Sequence, residues 1–286
     1  MIYISSSCIK NENIIDVLSF FKEKNFYNVE LSGGTKNFPD LKDKLCKFLN
    51  ENDFNVRLHN YFPPPEEDFV VNIASLDKKI SEKSINHCLK AIELSKKVNS
   101  EKFSIHAGFL IDPKSKEIGV MNKLAEVEKF FDKEKAINKM IETYELLKNK
   151  DKNIKIYLEN NVLAKKNFDR FKSNPLLLTD VQSYKELKKK FNFNLLLDLA
   201  HLKVSCRSLN LDFIQQANYL INETDYIHLS GNEGLDDTND SILSDREIIY
   251  VLENNNLRNK TFTLEVYKDF STILKDFEYL SDIIKN

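Results

Sequence analysis

Hydrophobic residues follow two alternating patterns along the chain. Short runs rich in β-branched and aromatic residues recur, and each is followed by a longer segment whose apolar positions repeat every three or four residues. The short runs are typical of buried strands, and the longer segments are typical of amphipathic helices. Eight strands are predicted, at Ile2–Ser5, Tyr27–Leu31, Val56–His59, Lys102–His106, Lys155–Glu159, Asn194–Asp198, Tyr226–Leu229 and Thr261–Val266.

The segments between these strands carry the helical pattern. Helices are predicted at Asn13–Lys24, Leu41–Asn52, Ser84–Val98, Lys123–Lys148, Val181–Lys190, Asp212–Asn222, Arg246–Asn254 and Ser271–Ile284. No change in composition marks a linker, so residues 1–286 are predicted to form a single domain. Eight strand–helix units in a chain of this length predict an α/β fold, the (β/α)8 TIM barrel, with right-handed crossovers.

An open, doubly wound parallel sheet is the alternative architecture for alternating strands and helices. Its usual signature is a glycine-rich turn after the first strand, but the sequence there is Ser5-Ser6-Ser7-Cys8. The glycines instead follow later strands, as expected for loops that line one rim of a barrel. Those glycines are five of the six in the chain: Gly33, Gly34, Gly108, Gly231 and Gly234.

Ionisable residues stand at or near the ends of seven of the eight predicted strands. A single such residue says little, because most are helix caps, ion-pair partners or hydrogen-bonded core residues. In a barrel, however, all parallel strands deliver their C-terminal ends to the same face, so the seven groups are expected to converge on one pocket. They are Glu30, His59, His106, Glu159, Asp198, His228 and Glu265, and His201 follows close behind Asp198.

Four of these residues form a candidate metal site. Glu159, Asp198, His228 and Glu265 come from strands five to eight, which are neighbours in a barrel, so they can surround one point about 2 Å from each. Three carboxylates and one imidazole favour Mn²⁺, Co²⁺ or Mg²⁺, admit Zn²⁺ or Fe²⁺, and exclude a zinc ion bound by thiolates. Without a cation the clustered carboxylates would need several basic neighbours, and the strand-end segments supply only Arg57.

Charge and cysteine spacing narrow the function classes. The 42 Lys and Arg against 44 Asp and Glu leave a net charge of −2, so nucleic acid is not the expected partner. No apolar run approaches the roughly 18 residues of a membrane span, so no membrane association is expected. The four cysteines show no short paired spacing, which favours reduced thiols in the cytoplasm.

The strand-end motifs resemble those of the xylose-isomerase-like TIM-barrel superfamily, which includes ketose 3-epimerases, related sugar isomerases and the endonuclease IV branch. The resemblance covers essentially the whole chain, and its most specific element is the D-x-x-H pair of Asp198 and His201. In the sugar-converting members a Glu, Asp, His, Glu quartet binds one divalent ion, and Glu159, Asp198, His228 and Glu265 match it. The motifs are RLHNYFPPP, SIHAG, YLENN, LLDLAHL, YIHLSG and TLEVY.

The resemblance implies a metal-dependent isomerase or epimerase that acts on a small-molecule sugar or sugar derivative. Glu159 and Glu265 would be the catalytic acid and base, removing and returning protons on the two faces of the substrate through an enediolate. His201 would donate a hydrogen bond to a substrate hydroxyl. Glu30, His59 and His106 would contact substrate hydroxyls or bind a second metal ion, and these two roles stay open. An oligomer of identical chains also stays open.

Two alternatives remain at this stage. Members of the endonuclease IV branch bind further zinc ions through histidines that His59, His106 and His201 match. They also need an Asp-x-His pair about a dozen residues after the strand-seven histidine, but the stretch SGNEGLDDTNDSILSD contains no histidine. A third metal therefore lacks its ligands, whereas a dinuclear site stays open. The second alternative is a non-catalytic barrel that binds sugar.

Overall fold

Eight parallel strands close into a barrel in the computed structural model, which describes residues 1–114 and 130–285. Each strand pairs with the next along the chain, and the first pairs with the last, so the sheet has no open edge. The predicted TIM barrel is confirmed. The strands are β1 (Ile2–Ser5), β2 (Asn28–Leu31), β3 (Asn55–His59), β4 (Lys102–His106), β5 (Lys155–Glu159), β6 (Asn194–Asp198), β7 (Tyr226–Leu229) and β8 (Thr261–Leu264).

Helices connect successive strands, as the crossovers of a parallel sheet require. In the described part of the chain no helix combines the length and the apolar character needed to cross a membrane. The α-helices are α1 (Ile14–Glu23), α2 (Leu41–Glu51), α3 (Lys78–Lys97), α4 (Lys133–Lys150), α5 (Lys165–Phe171), α6 (Val181–Lys190), α7 (Leu199–Leu209), α8 (Phe213–Leu220), α9 (Arg246–Glu253) and α10 (Phe270–Lys285).

Several helices differ from the predicted ones because of their caps. Helix α3 begins before the predicted start at Ser84, since the Asp77 carboxylate accepts a hydrogen bond from the Ile80 amide at 2.9 Å. Asp132 caps α4 in the same way, so residues 130–132 are not helical, and the earlier part of the predicted Lys123–Lys148 lies outside the described residues. Helices α5 and α7 were not predicted.

Strand residues alternate between two environments. Residues such as Ile105, Leu158 and Leu197 face outward and belong to the main hydrophobic core with the helices. Their neighbours face the barrel interior, where Tyr157, Leu196 and Tyr226 form a separate cluster. The strand-end residues Glu159, Asp198 and His228 each stand two positions after one of these three. They therefore point into the barrel as well, directly beyond the interior cluster.

Cations and aromatic rings fill the barrel interior towards the N-terminal ends of the strands. The Arg57 guanidinium carbon lies 4.3 Å from the ring centroid of Tyr3 and 5.0 Å from that of Tyr226. The Lys102 Nζ atom lies 4.9 Å from the ring centroid of Tyr157 and 3.4 Å from the Asp225 carboxylate. Aromatic faces attract cations, so these groups pack stably together. The interior is therefore packed on that side, and the C-terminal ends of the strands lie at the opposite end.

A buried ion pair fixes the long loop after β7. Lys203 in α7 is 5% exposed, and its Nζ atom donates to the Asn232 carbonyl at 2.7 Å and to the two Asp245 carboxylate oxygens at 2.8 and 2.7 Å. Asp245 also caps α9, because its side chain accepts from the Glu247 and Ile248 amides. The loop is thus held at both ends against α7, close to the strand ends of β6 and β7.

We predict that Lys203→Met lowers the free energy of unfolding by about 3–5 kcal/mol, because it leaves the Asp245 carboxylate buried without its cation. Denaturant titration of both proteins measures the difference. Lys133→Met is the control, since Lys133 lies 3.3 Å from Glu186 in an exposed ion pair and its loss should cost about 1 kcal/mol or less. Equal stability of the two variants would contradict the structural role of the buried pair.

Candidate metal centre

The predicted site residues meet at the C-terminal end of the barrel interior. In the described part of the chain, three groups of three residues have potential ligand atoms that all lie within 4.8 Å of one another. Three members of the predicted quartet fall into one group. The fourth, Glu265, belongs to none of them, but its Oε2 atom lies 3.5 Å from Nδ1 of His228. The groups are Glu159–Asp198–His228, His59–His106–Glu159 and Glu30–His59–His228.

Glu159 is the centre of this arrangement. Its side chain is 1% exposed, and each of its two carboxylate oxygens faces a different pair of imidazoles. Oε2 lies 3.3 Å from His59 Nε2 and 3.5 Å from His106 Nδ1. Oε1 lies 3.5 Å from His201 Nδ1 and 3.7 Å from His228 Nδ1. A carboxylate so placed has one oxygen available to each of two neighbouring cation positions.

Six buried side-chain atoms at the site have no hydrogen-bond partner among the described residues. A buried polar atom left without a partner costs about 1–3 kcal/mol, and such atoms are rare in native proteins. Their concentration around one point indicates that the residues fit a cation, which would satisfy carboxylate oxygens and imidazole nitrogens together. The six atoms are Oε1 of Glu30, Nδ1 of His106, Oε2 of Glu159, Oδ2 of Asp198, and Nδ1 and Nε2 of His228.

The electrostatics of the site also favour a cation. Burial raises the pKa of Glu159 to about 8 and the pKa of Asp198 to about 6, even though nearby histidines oppose the shift. Burial lowers the pKa of His59 to about 4, and burial together with His201 and His59 lowers the pKa of His106 well below its ordinary value. Both imidazoles are therefore neutral near pH 7, the form that binds metal ions.

The pKa values of His228 and Glu265 are shifted in opposite directions. Burial alone would lower the pKa of His228, but the Glu30 and Glu265 carboxylates raise it well above its ordinary value. Burial alone would raise the pKa of Glu265, but His228, His59 and His201 outweigh it and lower that pKa. In the described part of the chain, the ion pairs of Glu159, Glu265 and Glu30 within 4.0 Å are all with histidines.

His201 stands beside the metal-ligand groups without belonging to them. Its Nδ1 atom lies 3.0 Å from the Asn160 carbonyl oxygen, and its Nε2 atom lies 3.2 Å from the Asp237 carboxylate. Asp237 is a site residue that the sequence analysis missed, because its stretch lacks the complete Asp-x-His pair. The Asp is present, and Asn239 stands where the histidine of the pair would be. Both residues line the cavity above the site.

Further residues position the predicted ligands. The Asn160 side chain accepts from the Asp198 amide at 2.7 Å and donates to the Asp198 carbonyl at 2.9 Å. Ser104 Oγ lies 3.0 Å from His59 Nδ1, and Thr263 Oγ1 donates to Glu30 at 3.1 Å. Ser104 and Thr263 stand two residues before His106 and Glu265 along the chain. The strand alternation, counted two positions back from each strand end, would have identified them.

An open cavity of about 990 Å³ leads to the site, which is large enough for a small-molecule ligand. His59, His106, Glu159, His201 and Glu265 contribute to its floor, together with Asp237. Its walls carry aromatic side chains and two lysines. The wall residues include Tyr61, Tyr267, Phe270, Lys10 and Lys268.

Comparison with known proteins identifies the family. No curated protein matches the sequence. Among solved structures, a D-tagatose 3-epimerase-like protein has 17% identity and a TM-score of 0.72, covering 99% of this chain and 97% of its own. The 3-keto-D-glucoside 4-epimerase from E. coli has 10% identity and a TM-score of 0.65, covering 100% and 99%. Endonuclease IV from Thermus thermophilus has 10% identity and a TM-score of 0.62, covering 99% and 98%.

At these identities the structural matches show the fold alone. A family model described as the xylose isomerase-like TIM barrel matches residues 21–281 of the sequence. This match confirms the resemblance drawn from the strand-end motifs. The chain belongs to the xylose isomerase-like TIM barrel family.

Proposed function

We propose that this protein is a divalent-metal-dependent isomerase or epimerase of a sugar or sugar derivative. The observation that carries the proposal is the group of six buried polar atoms without hydrogen-bond partners, two of whose residues, His106 and Glu159, line an open cavity. A cation bound through the Glu159, Asp198 and His228 atoms of this group would be next to the cavity, where a substrate could reach it. The similarity in fold to epimerases agrees with this proposal, although a shared fold does not establish a shared reaction.

The residues that would hold the ion are Glu159, Asp198 and His228, with Glu265 as the fourth ligand. This set of carboxylates and one imidazole suits Mn²⁺, Co²⁺ or Mg²⁺ and also accepts Zn²⁺ or Fe²⁺. When bound, the ion would act as a Lewis acid that polarises a substrate carbonyl and stabilises negative charge on its oxygen. That effect makes the carbon next to the carbonyl more acidic.

Glu159 and Glu265 would move the proton. Their carboxylates lie 3.7 and 3.5 Å from the same His228 nitrogen, and they reach it from β5 and from the residue after β8. One carboxylate would take the proton from the carbon beside the carbonyl, which leaves an enediolate, and the other would return a proton to complete the reaction. His201, held by Asn160 and Asp237, would donate a hydrogen bond to a substrate hydroxyl.

A metal-dependent phosphodiesterase of the endonuclease IV type is the second candidate. It is favoured by one observation, the Oε2 atom of Glu159 facing His59 and His106, which forms a second potential cation position beside the first. Two cations that share a carboxylate are a common arrangement for activating water against a phosphodiester. The histidine-free stretch around Asp237 argues against a third ion.

We predict about one tightly bound divalent ion per chain. Titration of the chelator-treated protein with Mn²⁺ and Co²⁺, followed by elemental analysis, measures the number. Asp198→Asn should weaken binding, because it removes the charge of a ligand. The control is Asp225→Asn, since Asp225 pairs with Lys102 at the N-terminal end of the barrel. A wild-type protein that binds no divalent ion would refute the metal centre, and two ions would favour the second candidate.

We predict that Glu159→Gln and Glu265→Gln each retain part of the metal affinity but reduce turnover about 100-fold or more. Glutamine keeps one ligand oxygen and loses the ability to accept a proton, and general acid–base groups commonly contribute effects of this size. A panel of ketoses and aldoses in D₂O, followed by NMR, detects both turnover and deuterium at the carbon next to the carbonyl. Turnover without deuterium uptake would indicate hydride transfer and reduce both glutamates to ligands.

We predict that an oligonucleotide duplex containing an abasic site stays intact when it is incubated with the protein and Zn²⁺. The physical reason is the missing third-ion ligand and the near-neutral net charge of the chain. Gel electrophoresis of the end-labelled duplex gives the answer. Efficient incision on the 5′ side, lost in His106→Asn, would transfer the assignment to the phosphodiesterase.

A further inference from the structure

We infer that Glu30 is a positioning residue that orients His228 towards the metal ion and does not bind the ion itself. The inference rests on the metal centre of the proposed function, but it does not depend on the substrate. It concerns a carboxylate at the end of β2, which lies opposite the strands that supply the predicted quartet.

The contact between Glu30 and His228 is fully enclosed. Both side chains are 0% exposed, and Oε1 of Glu30 lies 2.9 Å from Nε2 of His228. The second carboxylate oxygen, Oε2, accepts a hydrogen bond from the Thr263 hydroxyl at 3.1 Å. Burying a carboxylate is costly unless its oxygens have polar partners. Glu30 is therefore anchored on one side by Thr263 and meets His228 on the other.

The two nitrogens of His228 face different surroundings. Nε2 faces Glu30, whereas Nδ1 faces the carboxylates of Glu159 and Glu265 at 3.7 and 3.5 Å. A neutral imidazole carries its hydrogen on one nitrogen and a lone pair on the other. A carboxylate beside Nε2 favours the hydrogen there, which leaves the Nδ1 lone pair directed at the quartet. Metal-binding histidines are commonly oriented by a carboxylate in this way.

Neither Nε2 of His228 nor Oε1 of Glu30 has an aligned hydrogen bond among the described residues, although they lie at hydrogen-bond distance. Binding of an ion at Nδ1 is expected to turn the ring so that Nε2–H points at Oε1. The bond between Nδ1 and the ion and the hydrogen bond from Nε2 to Glu30 would then stabilise each other.

Glu30 could instead be an ion ligand, because its carboxylate lies in one group with His59 and His228. Its depth in the barrel argues for the positioning role. The strand register pairs Glu30 with Arg57, which precedes His59 by two residues and packs on Tyr3 and Tyr226. Glu30 is fully buried and does not line the cavity, whereas His59 of the same group does.

The test compares metal affinity and metal stoichiometry in the full-length wild-type protein and in Glu30→Gln. Glutamine preserves the size of the side chain but removes its charge. Competition between the protein and a chromophoric chelator for Co²⁺ measures the affinity, and the visible absorption of bound Co²⁺ reports the ligand set. We expect affinity to fall about 10- to 100-fold, the usual effect of losing such a partner, with the number of bound ions and the ligand set unchanged.

Two further variants keep the test decisive. Thr263→Val removes the hydroxyl that anchors Glu30 and should weaken Co²⁺ binding in the same direction by a smaller factor, even if Glu30→Gln fails to fold. Asp276→Asn is the control, because Asp276 is another fully buried carboxylate, accepting from Ser241 at 2.6 Å, away from the ligands. Its variant should bind Co²⁺ with wild-type affinity.

Three outcomes would overturn the inference. Loss of one bound ion in Glu30→Gln would make Glu30 a ligand. Wild-type affinity in both Glu30→Gln and Thr263→Val would make the contact purely structural, while the proposed metal centre would stand. Absence of Co²⁺ binding by the wild-type protein would instead refute the metal centre itself, and with it the role of Glu30.

Discussion

The burial of Glu159 at the meeting point of four imidazoles is the constraint on which the rest of this site depends. Water is excluded from the carboxylate, which is 1% exposed, and its charge is costly there unless cationic partners are close. The neighbouring histidines offer only partial compensation, because His59 and His106 are themselves neutral near pH 7. A divalent cation, as proposed, would compensate the carboxylates and give the imidazole lone pairs a partner, so one ion would offset several unfavourable burials together.

The barrel makes this burial tolerable by separating charges along its axis. Towards the N-terminal strand ends, Arg57 and Lys102 are enclosed by tyrosine rings and by Asp225. Towards the C-terminal strand ends, carboxylates and histidines collect with no lysine or arginine among the ion pairs described above. Thr263 contacts both regions, because its hydroxyl lies 3.1 Å from the Glu30 carboxylate and 3.4 Å from the Tyr226 hydroxyl. The interior therefore holds cations packed on aromatic rings at one end and the candidate metal centre at the other.

The features that could be predicted from the sequence are those that a local pattern of residues determines. Apolar runs located all eight strands, and strand alternation brought Glu159, Asp198 and His228 to one interior because each follows an interior residue by two positions. Helix α7 was missed because it follows β6 without a loop: Asp198 ends the strand and also caps the helix, accepting from the His201 amide at 2.7 Å. Asp237 was missed because its place depends on a long loop that the distant pair Lys203–Asp245 holds in position.

In the proposed metal centre, the choice between the two candidate reactions would rest on few atoms. One oxygen of Glu159 faces His228, and the other faces His59 and His106. A single ion beside His228 would polarise a carbonyl. A second ion beside His59 and His106 would be enough to make a centre that activates water between two ions. Near Asp237 the chain has Asn239 in place of a histidine, which argues against a third metal-ion position. Asp237 still holds His201, whose Nε2 atom lies 3.2 Å from its carboxylate. A fixed imidazole at the cavity floor suits recognition of a hydroxyl-rich ligand. Such differences concern a few side chains and leave the barrel unchanged, and one fold can serve different reactions in this way.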